Sequence, residues 1–364
     1  ETLAPQTWTG TLVTGSPTTA SIQTSGSDAL GLHNWALSVA SDTDKTQADI
    51  GGSYAYTGWR PGVRIAGARS LIDRSGYRVD GRNLTYTEED WSGTLSLSVP
   101  FESRPGTSWT LSADYDVDWF RLVTPPRIML DPNQRVPIKP ATDYLQAGVG
   151  TRLAYSHIHS TTFGLGPQEG WDAAVSFRLD NPAFGATYKN VTLSYGLDVY
   201  QRLWGVSPTL FVRMVGSLRA GDLVRPGGFG LGGVPAQDVV MSIVDSTRFA
   251  SSGYLRGYPQ RVIIGNQYHL VNAEYRQELW TIEHGLATFP IYFRRLHLGL
   301  LSDTGAAFDG SFIPREDLRT SVGAALRLDT YFGAYVPGTF ELGYSRGLQK
   351  GGIDETWFLL TGSL

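Results

Sequence analysis

The sequence predicts an all-β chain, specifically a 16-stranded antiparallel transmembrane β-barrel, and three observations predict it. Side chains alternate between apolar and polar with a period of two, over segments longer than the five or six residues of an ordinary soluble strand. Only 18% of the 364 residues are charged, while 43 are glycine and 12% are aromatic. No stretch of about 18 apolar residues exists that could form a membrane-crossing helix.

The alternation is clearest from Trp109. Odd positions read Trp109, Leu111, Ala113, Tyr115, Val117 and Trp119, and even positions read Thr110, Ser112, Asp114, Asp116 and Asp118. A helix would scatter those aspartates over several faces, whereas a strand gathers them on one. The same alternation recurs in Trp171–Asp180, Val191–Val199, Leu95–Val99 and Ser321–Asp329. A strand tilted across a bilayer needs about 9–11 residues. Aromatics near both strand ends suit the interfacial girdles of a barrel, and low charge with abundant glycine suits its wall. A soluble sandwich or lipocalin-like barrel would leave these long apolar faces without enough material to cover them.

Sixteen strands are expected, at 7–14, 18–25, 31–40, 47–57, 62–70, 91–101, 107–120, 142–157, 169–180, 189–202, 206–220, 266–280, 293–303, 319–329, 338–346 and 355–364. Residues 1–30 read as a lead-in with the two least regular strands, and 31–364 as the barrel proper. An even count puts both ends on the periplasmic side. Thr57–Gly62, Glu102–Gly106 and Leu203–Ser207 then fall at the inner turns, while Ser70–Asp90, Leu122–Ala141 and Gly221–Gly265 become outer loops. Ile158–Gln168 is long for an inner turn.

Composition removes several function classes. A net charge of −4 argues against a nucleic-acid partner. Without cysteine there is no disulfide scaffold, thiolate metal site or cysteine nucleophile. Gly343-Tyr344-Ser345-Arg346-Gly347 fits the nucleophile-elbow pattern but lies in a strand with no helix after it. Gly228, Gly230 and Gly233 match a dinucleotide fingerprint without a βαβ unit around them. His157 and His159 share a strand face but lack a third metal ligand. The Asp114, Asp116 and Asp118 column reads as lumen lining. No catalytic residue, metal or cofactor is therefore expected.

One segment departs from the meander. Residues 221–265 are glycine-rich and contain Leu255-Arg256-Gly257-Tyr258. Gly265 follows, then a strand with Asn272-Ala273-Glu274-Tyr275-Arg276. The next strand ends Ser302-Asp303-Thr304-Gly305. Alternation places Glu274, Arg276 and Glu278 inward on the first of these strands. Arg295, His297 and Asp303 point inward on the second.

These elements, in this order, resemble the outer-membrane assembly and secretion barrels, the superfamily of BamA, TamA, the two-partner secretion transporters, Sam and Toc. The likeness covers roughly the last 145 residues (221–364) by motif and the earlier strands by architecture only. It implies that residues 221–265 fold back into the lumen. It also implies that Arg256, Gly257 and Tyr258 form a lock with Glu274 and Asp303, with Gly265 and Gly305 as structural glycines. A guanidinium fork suits two carboxylates, and Arg256 is expected to reach both.

The implied role is non-enzymatic: insertion or translocation of other polypeptides in the bacterial outer membrane. Implied partners are outer-membrane lipid, client β-barrels or secreted polypeptides, and periplasmic accessory proteins or a fused upstream domain. Two departures bear on this. The lead-in is too short for a periplasmic polypeptide-transport-associated (POTRA) domain, and the terminal Phe358-Leu359-Leu360-Thr361-Gly362-Ser363-Leu364 lacks the usual final aromatic. A passive pore, or an anchor for a periplasmic or surface module, is the alternative.

Overall fold

The computed structural model describes residues 4–14, 18–43, 47–79, 82–104, 106–124, 143–160, 166–205, 208–222, 229–233, 254–259, 262–333 and 336–363. Its strands are β1 (Thr7–Thr14), β2 (Thr19–Ser27), β3 (His33–Asp42), β4 (Asp49–Tyr56), β5 (Gly62–Val79), β6 (Arg82–Arg104), β7 (Thr107–Thr124), β8 (Tyr144–Ser160) and β9 (Pro167–Asp180). They continue as β10 (Asn190–Arg202), β11 (Thr209–Gly221), β12 (Phe229–Leu231), β13 (Ile263–Gly265), β14 (Gln267–Gly285), β15 (Ile291–Phe308), β16 (Leu318–Phe332), β17 (Val336–Gly347) and β18 (Asp354–Ser363).

Sixteen of these close an antiparallel barrel, each pairing with its neighbours in chain order and β1 pairing with β18. Short β12 and β13 pair only with each other. Closure leaves no edge strand, which satisfies in lipid every ladder donor and acceptor that an open sheet would expose. β1 and β2, the two least regular of the expected strands, are staves of this barrel.

The distribution of side chains is the reverse of a soluble protein. On β7, Trp109, Leu111, Tyr115 and Trp119 are exposed, whereas Asp114, Asp116 and Asp118 are buried. Leu193 and Val191 on β10, and Leu300 on β15, likewise face out. A water-soluble domain keeps such charges outside unless paired; here water and partners lie within the lumen and oil lies outside. A charge placed on the outer face must therefore be costly. Leu300→Arg, near the middle of β15, is expected to lower barrel stability by about 2–4 kcal/mol in a urea titration in lipid vesicles, and an unchanged midpoint would place Leu300 away from lipid.

The structure corrects the boundaries of several elements. The span 70–90, expected as an outer loop, belongs largely to two long strands: the β5–β6 ladder continues to Val79↔Arg82. The sequence carried the signal, because Asp80-Gly81, a strong short-hairpin dipeptide, sits between them. β14 and β15 also run past their expected ends, from Gln267 to Gly285 and from Ile291 to Phe308. β8 reaches Ser160 and β9 starts at Pro167, which shortens the apparently long turn between them. Most of the expected loop at 122–141 falls outside the described residues. So does most of 221–265, apart from 221–222, 229–233, 254–259 and 262–265.

Candidate functional site

The described parts of the 221–265 segment pack against the inner face of β11, β14 and β15. Phe229, Leu231, Leu255 and Tyr258 join Val215, Tyr268, Leu270 and Ala307 in one buried apolar cluster. These wall residues are inward ones: Tyr268 and Leu270 are buried, while neighbouring Val271 is exposed to the outside. Burying four large side chains favours the docked segment by several kcal/mol, about 1.5–3 for each against exposure to water.

On this apolar footing, Arg256 makes a two-pronged ion pair with Asp303. Nε donates to Oδ2 at 2.7 Å and Nη2 to Oδ1 at 2.6 Å, and the Arg256 backbone N–H adds a third contact at 3.2 Å. Both side chains are buried, Asp303 at 1% exposure. Asn272, the register partner of Asp303, donates to its Oδ1 at 2.7 Å.

Gly257 and Tyr258 carry the turn into the β16–β18 wall. Gly257 has φ +76°, and a Cβ there would lie 2.6 Å from the Gly347 backbone nitrogen. Glycine alone fits both the backbone and the approach. Its N–H donates to Glu355 Oε2 at 2.7 Å, and its carbonyl accepts from Ile353 N–H at 2.9 Å. The Tyr258 hydroxyl lies 2.9 Å from the Thr320 carbonyl and 2.8 Å from Gln349 Oε1, and accepts from Gln349 N–H at 3.0 Å. Six residues of loop thus engage side chains or backbone from β14 to β18.

The two other glycines sit where the loop meets the wall. A Cβ on Gly265 would lie 2.2 Å from the Phe308 backbone nitrogen, and one on Gly305 would press on Leu231 and Leu270 at 3.0 Å each.

The expected arrangement needs one correction. Arg256 pairs with Asp303, but Glu274 is engaged by other arginines: Arg276 Nη2 at 3.2 Å and Arg327 Nη1. Register explains this. Asn272 stands opposite Asp303, and Glu274 is the next inward position along β14, about 7 Å further from the loop tip. Arg327 also holds Glu341 at 2.7 Å, and Glu341 accepts from Trp357 Nε1 at 2.8 Å. A buried polar tier from β14 to β18 therefore lies directly beneath the loop tip, with a cavity of about 220 Å³ between them. Arg327 and Glu341 are register partners on β16 and β17. Alternation alone could have flagged them as inward, but not as partners of Glu274.

The remaining motifs occupy ordinary places. Ser345 lies within β17 and is buried, with no helix after it. His157 accepts or donates through Nδ1 to Thr107 Oγ1 at 2.7 Å and meets His159 edge-on. Gly230 and Gly233 are described and Gly228 is not. The aspartate column of β7 is more than passive lining. Arg178 reaches Asp116, Asp118 at 3.7 Å and Asp180 at 2.7 Å.

No protein-family model matches the chain, and no curated protein matches it. Solved structures do. BamA from Haemophilus ducreyi lacking POTRA domains 1–3 aligns with a TM-score of 0.62 and 14% identity, covering 100% of this chain and 70% of that one. CdiB from Acinetobacter baumannii aligns with a TM-score of 0.63 and 11% identity, covering 98% of this chain and 59% of that one. This chain therefore spans under two thirds of CdiB. With its closed sixteen-strand wall and outward apolar belt, the chain has the fold of these barrels and is a β-barrel of the bacterial outer membrane.

Proposed function

We propose that this barrel inserts or translocates other polypeptides in the outer membrane, by chemistry-free means. The observation that carries the reading is the seam between β1 and β18. It is paired over six positions only, from Thr9↔Ser363 to Thr14↔Phe358, the shortest run among the barrel's described pairings. The β14–β15 ladder, by contrast, runs from Gln267↔Phe308 to Gly285↔Tyr292. A short seam is the cheapest place to part the wall. Its freed edges would offer partners to the backbone of an arriving strand, which lipid cannot do. The fold likeness to BamA and CdiB supports this reading.

In this reading, Arg256, Gly257 and Tyr258 hold the β14–β18 side of the wall rigid while the seam opens. The inward loop works as a strut through its pair with Asp303. Glu274, beneath it, supports the same wall through Arg276 and Arg327. Partners would be outer-membrane lipid, client polypeptides and periplasmic accessory proteins or a fused upstream domain.

The test is kinetic. The barrel is refolded into liposomes and the folding of a small client β-barrel is followed by its gel mobility. Acceleration is expected, and it should disappear when a disulfide joins register partners across the seam in Thr11→Cys/Thr361→Cys. Reduction should restore it. Steady ion conductance without acceleration would replace this reading with a passive pore.

A further inference from the structure

The outer face of the wall carries a charged triad among apolar side chains, on β5, β6 and β7. Arg69, Trp91 and Trp119 are register partners in one row across these strands, and Glu89 and Arg121 are partners at the next outward position. The row belongs to the lipid side. Ile65, Leu95, Trp91 and Trp119 are all exposed. No register shift falls between Ile65 and Arg69, between Leu95 and Glu89, or between Trp119 and Arg121, so the three charged residues share the outward phase.

Glu89 is gripped from both sides. Arg69 Nε meets its Oε1 at 2.5 Å, and Arg121 Nη2 meets its Oε2 at 2.8 Å. The Arg69 guanidinium also donates to Gln47 and lies 5.8 Å from the centroid of the Trp91 ring. Two guanidiniums thus share one carboxylate, and the triad keeps an unbalanced positive charge. That charge is accessible at Arg121. Its side chain is 53% exposed, against 17% for Arg69 and 5% for Glu89. A guanidinium has five N–H donors, and one nitrogen of Arg121 is turned to Glu89. The Asp143 carboxylate, just before β8, takes the Leu122 N–H at 2.9 Å.

Height in the membrane decides what this charge meets. A charge on the lipid face of a barrel is costly at the midplane and cheap near the interfaces. A tilted strand crosses in about 9–11 residues. Counted from Gly62, where β5 leaves the short turn 57–61, the crossing ends about one to three residues past Arg69. Trp91 and Trp119 stand at the same level, as an interfacial girdle does. We propose that the triad binds the phosphate of an outer-leaflet lipid. Arg121 contacts the phosphate as a guanidinium suits it to do, Arg69 adds its field, and the acyl chains run down over Ile65 and Leu95. The site lies outside the wall and draws on neither the seam nor the inward loop, so it stands whether the barrel moves polypeptides or passes solutes.

The experiment uses the full chain in a maltoside detergent, which carries no phosphate, and counts bound lipid by native mass spectrometry. The probes are bis-phosphorylated lipid A, the same lipid with its phosphates removed, and sodium pyrophosphate. Saturable binding of the bis-phosphorylated lipid is expected, well above that of the other two. Arg121→Gln should weaken it by at least about tenfold. Glu89→Gln, which leaves both guanidiniums without their carboxylate, should tighten it by about threefold, a change of opposite sign that a purely structural triad would not give. Each variant is read on barrels that keep heat-dependent gel mobility, and either one decides if the other does not fold. Equal binding of the dephosphorylated lipid would reduce the site to ordinary annular lipid. Pyrophosphate held as tightly as the lipid would make it a site for soluble phosphate. Either result, or binding that the folded variants leave unchanged, overturns the proposal.

Discussion

Arg178→Ala is expected to destabilise the barrel by about 3–5 kcal/mol, the usual cost of stripping a buried charge of its partner. Arg178 on β9 contacts Asp116, Asp118 and Asp180, which are 1%, 2% and 1% exposed. Asp116 and Asp118 stand on β7, so the arginine reaches across β8 to meet them. Glycines on β8 make that passage possible. A Cβ on Gly148 would lie 2.4 Å from Asp180 Oδ1, and one on Gly150 would lie 2.4 Å from Asp114 Oδ2. Thr94 and Gln146 donate to Asp116 at 2.6 Å and to Asp180 at 3.1 Å, but a hydroxyl or an amide cannot replace the positive charge. Urea unfolding followed by tryptophan fluorescence reads the effect. Asp116→Asn in the Arg178→Ala background should return part of the loss, because it removes one of the carboxylates left facing each other. A single variant within about 1 kcal/mol of the parent would mean that the three aspartates are neutralised from elsewhere.

How far the sequence reaches is visible in this network. The β7 aspartates were legible as inward because facing is decided one residue at a time, by the period of the strand. Their counter-charge was not, because Arg178 lies 62 residues from Asp116 and the register that aligns β7, β8 and β9 is set by turns whose lengths the alternation does not reveal. The same division runs through the loop site. Asp303 and Glu274 were both correctly phased inward, yet only register shows that Asn272 stands opposite Asp303 and that Glu274 belongs to the tier below. Arg294 escaped for a third reason. A bulge between Phe293 and Arg295 breaks the period locally, so a rule that works for Leu296, Leu298 and Leu300 misplaces Arg294, two residues before Leu296. Sixteen staves and their inner faces were legible; the ion pairs that cross staves were not, since they depend on geometry summed over several strands.

Arg256→Ala is expected to release the inner loop while leaving the wall intact. The two effects separate because different forces hold them. The wall is a closed ladder of backbone hydrogen bonds in lipid, to which Arg256 contributes nothing. The loop is held by one apolar cluster and by the tip, where Asp303 is 1% exposed and would keep only the Asn272 amide as a side-chain donor. Removing the guanidinium leaves that carboxylate buried and uncompensated, at a cost of about 3–5 kcal/mol, comparable to what the docked apolar side chains contribute. The expected result is a folded barrel, with unchanged heat-dependent gel mobility, whose 221–265 segment is cut by added protease at least about tenfold faster, because cleavage tracks the population of the undocked loop. Arg256→Lys should recover little, since an ammonium cannot make the paired contacts from Nε and Nη2 that the fork makes to the two oxygens. Asp303→Asn should release the loop less than Arg256→Ala does, because its amide keeps a carbonyl for the arginine and leaves the remaining charge near Glu274. If Arg256→Ala is cut no faster than the parent and supports client folding equally well, the strut is the apolar cluster of Leu231, Leu255 and Tyr258, and the ion pair above it is incidental.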